Sequence, residues 1–306
     1  MMGKNNKLHG KIDSPETIYR YYCVAFLDIL NQRDMIRKIE SLPDTEEEWQ
    51  NFKKQVKSTI GTVYRFRKLF SDFFLAFSKQ RFPPKDLDEN HLEIYRKIEK
   101  ASRHFLPKIQ SFSDTVIIFV PLSDDQRTVY SDGIFSTLLS ISGTYIGLMA
   151  SGAIFRGGID IGIGLEIEPN EIYGPVVLKA YDLESKIAKY PRVVIGDELA
   201  NFLQLMIQNS NDSDHSKYNK VIATKCSELM FEDGDGRYAL DYLGIAYRDF
   251  AGPTVAKFIN KAKEFVEYQI EEAKRKRDTE LFLRYQSLWG YFEDQLPHWD
   301  EIIPQA

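Results

Sequence analysis

Apolar and aromatic residues run almost without a break from Tyr21 to Leu30 (YYCVAFLDIL), with a single acid, Asp28, near the end. β-Branched and aromatic residues bounded by polar sequence predict a buried strand from about Tyr19 to Leu30. The period then changes. Thr45-Glu46-Glu47-Glu48 supplies an N-cap and an acidic first turn, and Trp49, Phe52, Val56, Ile60, Val63 and Phe70 recur at helical spacing. PPKDLDEN breaks that helix, and a second is expected from about His91 to Arg103. KIQSFS and TVIIFVPL, joined at Ser113-Asp114, predict a hairpin with Asp114 at its tip. A helix over about Asp132 to Ser151 leads to FRGGIDIGIGLEI, where Gly157, Gly158, Gly162 and Gly164 mark a strand that another backbone or a ligand approaches closely. EIYGPVVLKAYDLESKIAKYP begins with a turn and continues as a helix, and RVVIGDEL is a further short strand. That order predicts an α+β fold with an antiparallel-rich sheet.

Signals thin beyond Asn201. NSNDSDHSKYN predicts a polar loop, FEDGDGRYALDYLG a turn into a strand, and Pro253 opens a helix expected to reach about Lys276, followed by another to Phe292. IEEAKRKRDTE is a solvated face. The expected organisation is an N-terminal tail over 1–18, a main domain over 19–200 with a helical insertion at about 32–104, and a C-terminal extension over 201–306 holding a strand and two helices.

Composition narrows the function. With 306 residues, 43% hydrophobic and 28% charged, the chain can bury a substantial core. A net charge of −5 argues against an extended nucleic-acid footprint. Cys23 and Cys226 match no paired metal-ligand spacing and are expected to be buried thiols in a reducing cytoplasm. MMGKNNKLHGKIDSPE lacks the apolar core of a signal peptide, and no run of about 18 apolar residues follows, so no membrane partner is expected.

Four segments, FLDIL, FSDTVIIF, FRGGIDIG and YGPVVLKAYDLESKIAKYPRVVIGDEL, occur in an order that resembles the class III nucleotidyl cyclase catalytic domain, over about Tyr19 to Leu199. The resemblance implies a ferredoxin-like, palm-type sheet carrying two metal-binding aspartates, here Asp28 and Asp114. It implies Mg2+ or Mn2+ as cofactor, a nucleoside triphosphate as substrate and a cyclic nucleotide as product. It also implies a head-to-tail homodimer that shares metal ligands and base contacts between chains. Physically, a carboxylate at a buried strand end is costly unless paired or ligated, and a second one beside it repels the first. A divalent cation between them removes both costs. Backbone amides near Leu30 and Asn31, with Arg33, are candidates for the triphosphate. The residues alone also allow Asp28 to cap the following helix and Asp114 to be a polar turn residue.

The departures are specific. Related cyclases usually present an Asn and, one turn later, an Arg to the transition state, where this chain has Leu178 and Asp182. Lys179, Arg156 or Lys186 are candidate replacements, against the simpler reading that the lysines are solvated and the arginine sits in a salt bridge. The base-reading positions hold Gln110 and Glu171 instead of the Lys and Asp common in adenylyl cyclases. Gln offers a donor and an acceptor while Glu only accepts, a pair suited to another base, including a pyrimidine. Bacterial cyclases of antiphage signalling make cyclic pyrimidine nucleotides, and the cyclase resemblance extends in expectation to a divergent relative of them, with no motif that assigns the chain to that group. A catalytically degenerate nucleotide-binding or scaffold protein is the alternative function.

Overall fold

The computed structural model describes residues 19–30, 42–77, 89–102, 105–123, 128–300 and 302. Within them, the mixed α+β architecture and its antiparallel-rich sheet match the sequence expectation. The first strand, β1 (Arg20–Ile29), is central; the hairpin strands β2 (Lys108–Phe112) and β3 (Thr115–Pro121) lie on one side of it. On its other side come β4 (Phe155–Glu168), β6 (Val193–Ile195), β8 (Tyr238–Leu240) and β7 (Met230–Glu232). The order is β2-β3-β1-β4-β6-β8-β7, and β5 (Glu171–Tyr173) pairs with the end of β4. β4 and β6 run parallel; the other pairs are antiparallel.

Strand alternation divides the chemistry between two faces. Cys23, Ala25, Leu27 and Ile29 of β1 join the main core, whereas Tyr22 and Val24, with Phe26 partly buried beside them, pack on the other face. The second face is covered by α4 (Pro175–Asp182), which continues as a π-helical turn over Leu183–Ile187. This helix lies very close to β4. A Cβ on Gly158 would stand 2.3 Å from Leu183 Cβ and 2.6 Å from the Ala180 carbonyl, so the glycine-rich strand accommodates this chain's own helix.

The main core is built around α3 (Asp132–Met149), which is buried along nearly its whole length and bears no charge after its first residue. Four of its hydroxyls are satisfied within the helix. Thr137, Ser140, Ser142 and Thr144 donate to carbonyls four residues back, at 2.7, 2.6, 2.9 and 2.6 Å. Helix α1 (Glu46–Phe77) packs on it, closely enough that a Cβ on Gly143 would meet the Phe73 ring at 2.8 Å. Thr45 is the expected N-cap, and with Glu48 it forms a capping box: the Glu48 amide donates to Thr45 Oγ1 (3.3 Å) and the Thr45 amide to Glu48 Oε2 (3.0 Å). The buried stripe of α1, however, is Thr59, Thr62, Phe66, Phe70, Phe73 and Phe77, and Ile60 is exposed. Helix α2 (Glu89–Ser102) follows.

The second half holds more helix than the sequence reading expected. RVVIGDEL leads directly into α5 (Asp197–Gln208), and much of the expected loop is α6 (Asp214–Ser227). Ser213 caps α6, and Tyr218, Ile222 and Cys226 enter the core. β7 and β8 form a hairpin continuous with the sheet. The next helix, α7 (Ile245–Lys276), starts eight residues before Pro253, which sits inside it, and packs on α3 and α8 (Thr279–Gln295). Cys23 and Cys226 are buried free thiols, their pKa pushed up by desolvation. Among the described residues, no helix is long and apolar enough to cross a membrane.

Candidate functional site around Asp28 and Asp114

The hairpin turn brings Asp114 to the end of β1. Asp28 is the register partner of Thr115, and the Ile29 amide donates to the Asp114 carbonyl at 3.0 Å. Both aspartates are buried, at 4% and 7% exposure, so two acids stand at one end of the sheet in low-dielectric surroundings. By alternation Asp28 lies on the face covered by α4.

Arg156 is directly opposite Asp28 on β4. Its Nη2 is 3.8 Å from Asp28 Oδ2, its Nε is 2.8 Å from Glu184 Oε1, and its Nη1 donates to the Ala188 carbonyl at 3.3 Å. Glu184 comes from the π turn after α4 and is 3% exposed. It escaped the sequence reading; the available signal was an acid in LESK on a helix facing a strand that carries an arginine.

Lys179 is ion-paired with Glu198 of α5 at 2.9 Å, and Lys186 with Asp182 at 2.8 Å. Leu178 is 66% exposed on the outer side of α4. Leu30 spends its amide on the Ile154 carbonyl (2.9 Å). Asn31 and Arg33 lie outside the described residues, as does the segment that Asp28 would cap in the alternative reading.

Gln110 shares the sheet face of Asp28, one pleat repeat along: Phe112, Thr115, Asp28 and Arg156 form one cross-strand row, and Gln110, Ile117, Phe26 and Gly158 the next. The Gln110 side-chain carbonyl accepts from the Ile172 amide at 3.2 Å, which sets it beside the strand of Glu171 while leaving its amide group to donate. Glu171 itself is exposed.

Another buried acid serves the fold. Asp160 accepts from the amides of Ile161 and Leu199, both at 2.9 Å, capping α5 from the sheet, and desolvation raises its pKa. Farther away, Arg192 binds Asp233 and Asp235 at 2.5 Å each and fastens the β7–β8 turn to the strand before it.

Among the described residues, no group of three or more His, Cys, Asp or Glu gathers as a metal cage. The donor chemistry at Asp28 and Asp114 nevertheless suits a hard cation, since two carboxylates on adjoining elements are the protein share of a Mg2+ site that keeps open positions for water and phosphate.

No protein-family model matches the chain, and no curated protein does. Among solved structures, the adenylyl cyclase CyaB from P. aeruginosa aligns with 62% of this chain and 83% of its own, at 16% identity and a TM-score of 0.35. At that score the likeness decides nothing about chemistry.

Proposed function

We propose that this chain is a metal-dependent nucleotidyl cyclase that converts a nucleoside triphosphate into a 3′,5′-cyclic nucleotide and pyrophosphate. The supporting observation is the meeting of buried Asp28 and Asp114 at one end of the sheet, on adjoining elements closed by the Ile29 to Asp114 hydrogen bond. When bound there, Mg2+ or Mn2+ would lower the pKa of the ribose 3′ hydroxyl and offset charge on the phosphates. The 3′ oxygen attacks the α-phosphorus, the bond to the bridging oxygen breaks, pyrophosphate leaves and the hydroxyl proton passes to solvent. Asp28 and Asp114 are the residues that would hold the cation. Gln110 and Glu171 are the candidates for reading the base, and α4 of a second copy completes the site in a homodimer.

A second reading, a nucleotide-binding protein without turnover, is favoured by one observation. The α4 positions expected to carry transition-state donors present an exposed Leu178 and an Asp182 already paired with Lys186. Incubation with each of four nucleoside triphosphates and Mn2+, with mass detection of cyclic products, separates the two. A cyclic product supports the cyclase, and a pyrimidine product would be the basis for assigning a role in antiphage signalling. Binding without product supports the second reading, and no binding removes both. Light scattering with nucleotide and metal present should show a dimer.

A further inference from the structure

Three buried or half-buried charges form a chain across the Asp28 face: Asp28, Arg156 and Glu184, with side-chain exposures of 6%, 18% and 4%. The guanidinium is shared unequally, standing 2.8 Å from Glu184 and 3.8 Å from Asp28. This asymmetry runs against the local strand geometry. Asp28 and Arg156 are directly opposite on antiparallel strands, the arrangement in which opposite charges ordinarily close on each other. Glu184 draws the arginine the other way. It reaches the strand because the helix widens into a π turn there, with the Ala188 amide bonded to the Leu183 carbonyl at 2.8 Å, and because Gly158 lets Leu183 come down onto β4.

From this we infer that Glu184 is a positioning residue that holds the Arg156 guanidinium off Asp28 and so keeps the Asp28–Asp114 pair able to take a divalent cation. The inference rests on the metal reading given above. Without Glu184, Arg156 closes on Asp28, and the cation meets a positive charge where it needs a ligand.

The test is titration of the full chain with Mn2+ alone, following the paramagnetic resonance signal of the free ion, in the wild type and in Asp28→Asn, Glu184→Gln and the double variant Arg156→Met/Glu184→Gln. Asp28→Asn should abolish the site. Glu184→Gln should weaken it roughly 100-fold or more, the scale of one charge removed about 10 Å from a divalent cation at an effective dielectric near 20. The double variant, in which no guanidinium is left to close on Asp28, should return to within about threefold of the wild type. That recovery is what a merely structural Glu184 would not produce. Wild-type affinity in Glu184→Gln, or a double variant as weak as the single, overturns the inference while leaving the metal site standing. Mn2+ binding that ignores Asp28→Asn overturns the metal site and the inference together. Circular dichroism establishes folding; should Glu184→Gln fail to fold, Glu184→Asp replaces it, with roughly threefold weakening expected from its shorter reach and unchanged affinity overturning the inference.

Discussion

Asp28 and Arg156 face each other across β1 and β4, carboxylate to guanidinium at 3.8 Å, on the sheet face that also carries α4. The spacing is that of a salt bridge too long for a direct hydrogen bond, so Arg156 compensates the Asp28 charge in part. Buried charges in this state are sensitive to what happens to either partner, because removing one leaves the other in low dielectric.

Replacing either acid by Asn keeps its shape and removes half of the anionic ligand set. Asp28→Asn and Asp114→Asn should each lower cyclic product formation about 100-fold or more at fixed Mn2+, with the far-UV spectrum unchanged. Steady-state rates with mass detection check this; turnover at the wild-type level in both variants would remove the assignment.

The outer face of α4 offers a gain-of-function test. Leu178 is solvent-exposed and Asp182 is engaged in an exposed i,i+4 pair, so Leu178→Asn/Asp182→Arg should fold normally. If the cyclase reading holds, restoring these donors raises the rate about 10- to 100-fold. Equal initial rates for the two proteins would point to a site that does not place α4 at the reacting phosphate.

Gly158 is a packing position. A methyl group there meets Leu183 Cβ at 2.3 Å and the Ala180 carbonyl at 2.6 Å, forcing α4 and its π turn outward. Gly158→Ala should cost ~1–3 kcal/mol in urea unfolding. It should also weaken Mn2+ binding, because Glu184 moves with the turn; an unchanged midpoint would show that the helix yields without cost.

At the β7–β8 turn, the hydrogen bond from Arg192 holds the Asp235 carboxyl below its ordinary value of 3.8. A depressed folded-state pKa gives stability that is present above the unfolded value and lost as pH falls through the folded one. Wild type should therefore exceed Asp235→Asn in urea midpoint by a constant amount above about pH 5, with the gap narrowing below about pH 4. A gap independent of pH would mean that the carboxyl does not titrate against Arg192.

What the sequence displayed, it displayed through period and sign. The central strand, the hairpin and β4 stood out because apolar runs of strand length ended at turns, and the acids at 28 and 114 were conspicuous against them. Helix α6 was hidden because Ser, Asp, Asn and His dominate its first turns, and its core contacts come from Tyr218, Ile222 and Cys226 farther along. Pro253 misled in the opposite direction: a proline usually opens a helix, yet here it sits inside one whose packing on α3 outweighs the lost hydrogen bond. Ile60 fitted the helical spacing of α1 but falls outside the stripe that α3 selects. The pairing of Arg156 with Glu184 joins positions 28 residues apart in sequence, and nothing local announces it.

Helix α3, whose Thr137, Ser140, Ser142 and Thr144 hydroxyls bond back to its own carbonyls and whose surroundings are the sheet, α1, α6 and α7, has no route to water short of opening the whole core. Its amide hydrogens should therefore exchange with deuterium at the rate of global unfolding, while those of α4 on the opposite face, exposed at Leu178 and Tyr181, exchange through smaller openings. The molecule thus carries an internal clock: α3 reports the lifetime of the fold, and α4, read against it in the same spectrum, reports the lifetime of the candidate site.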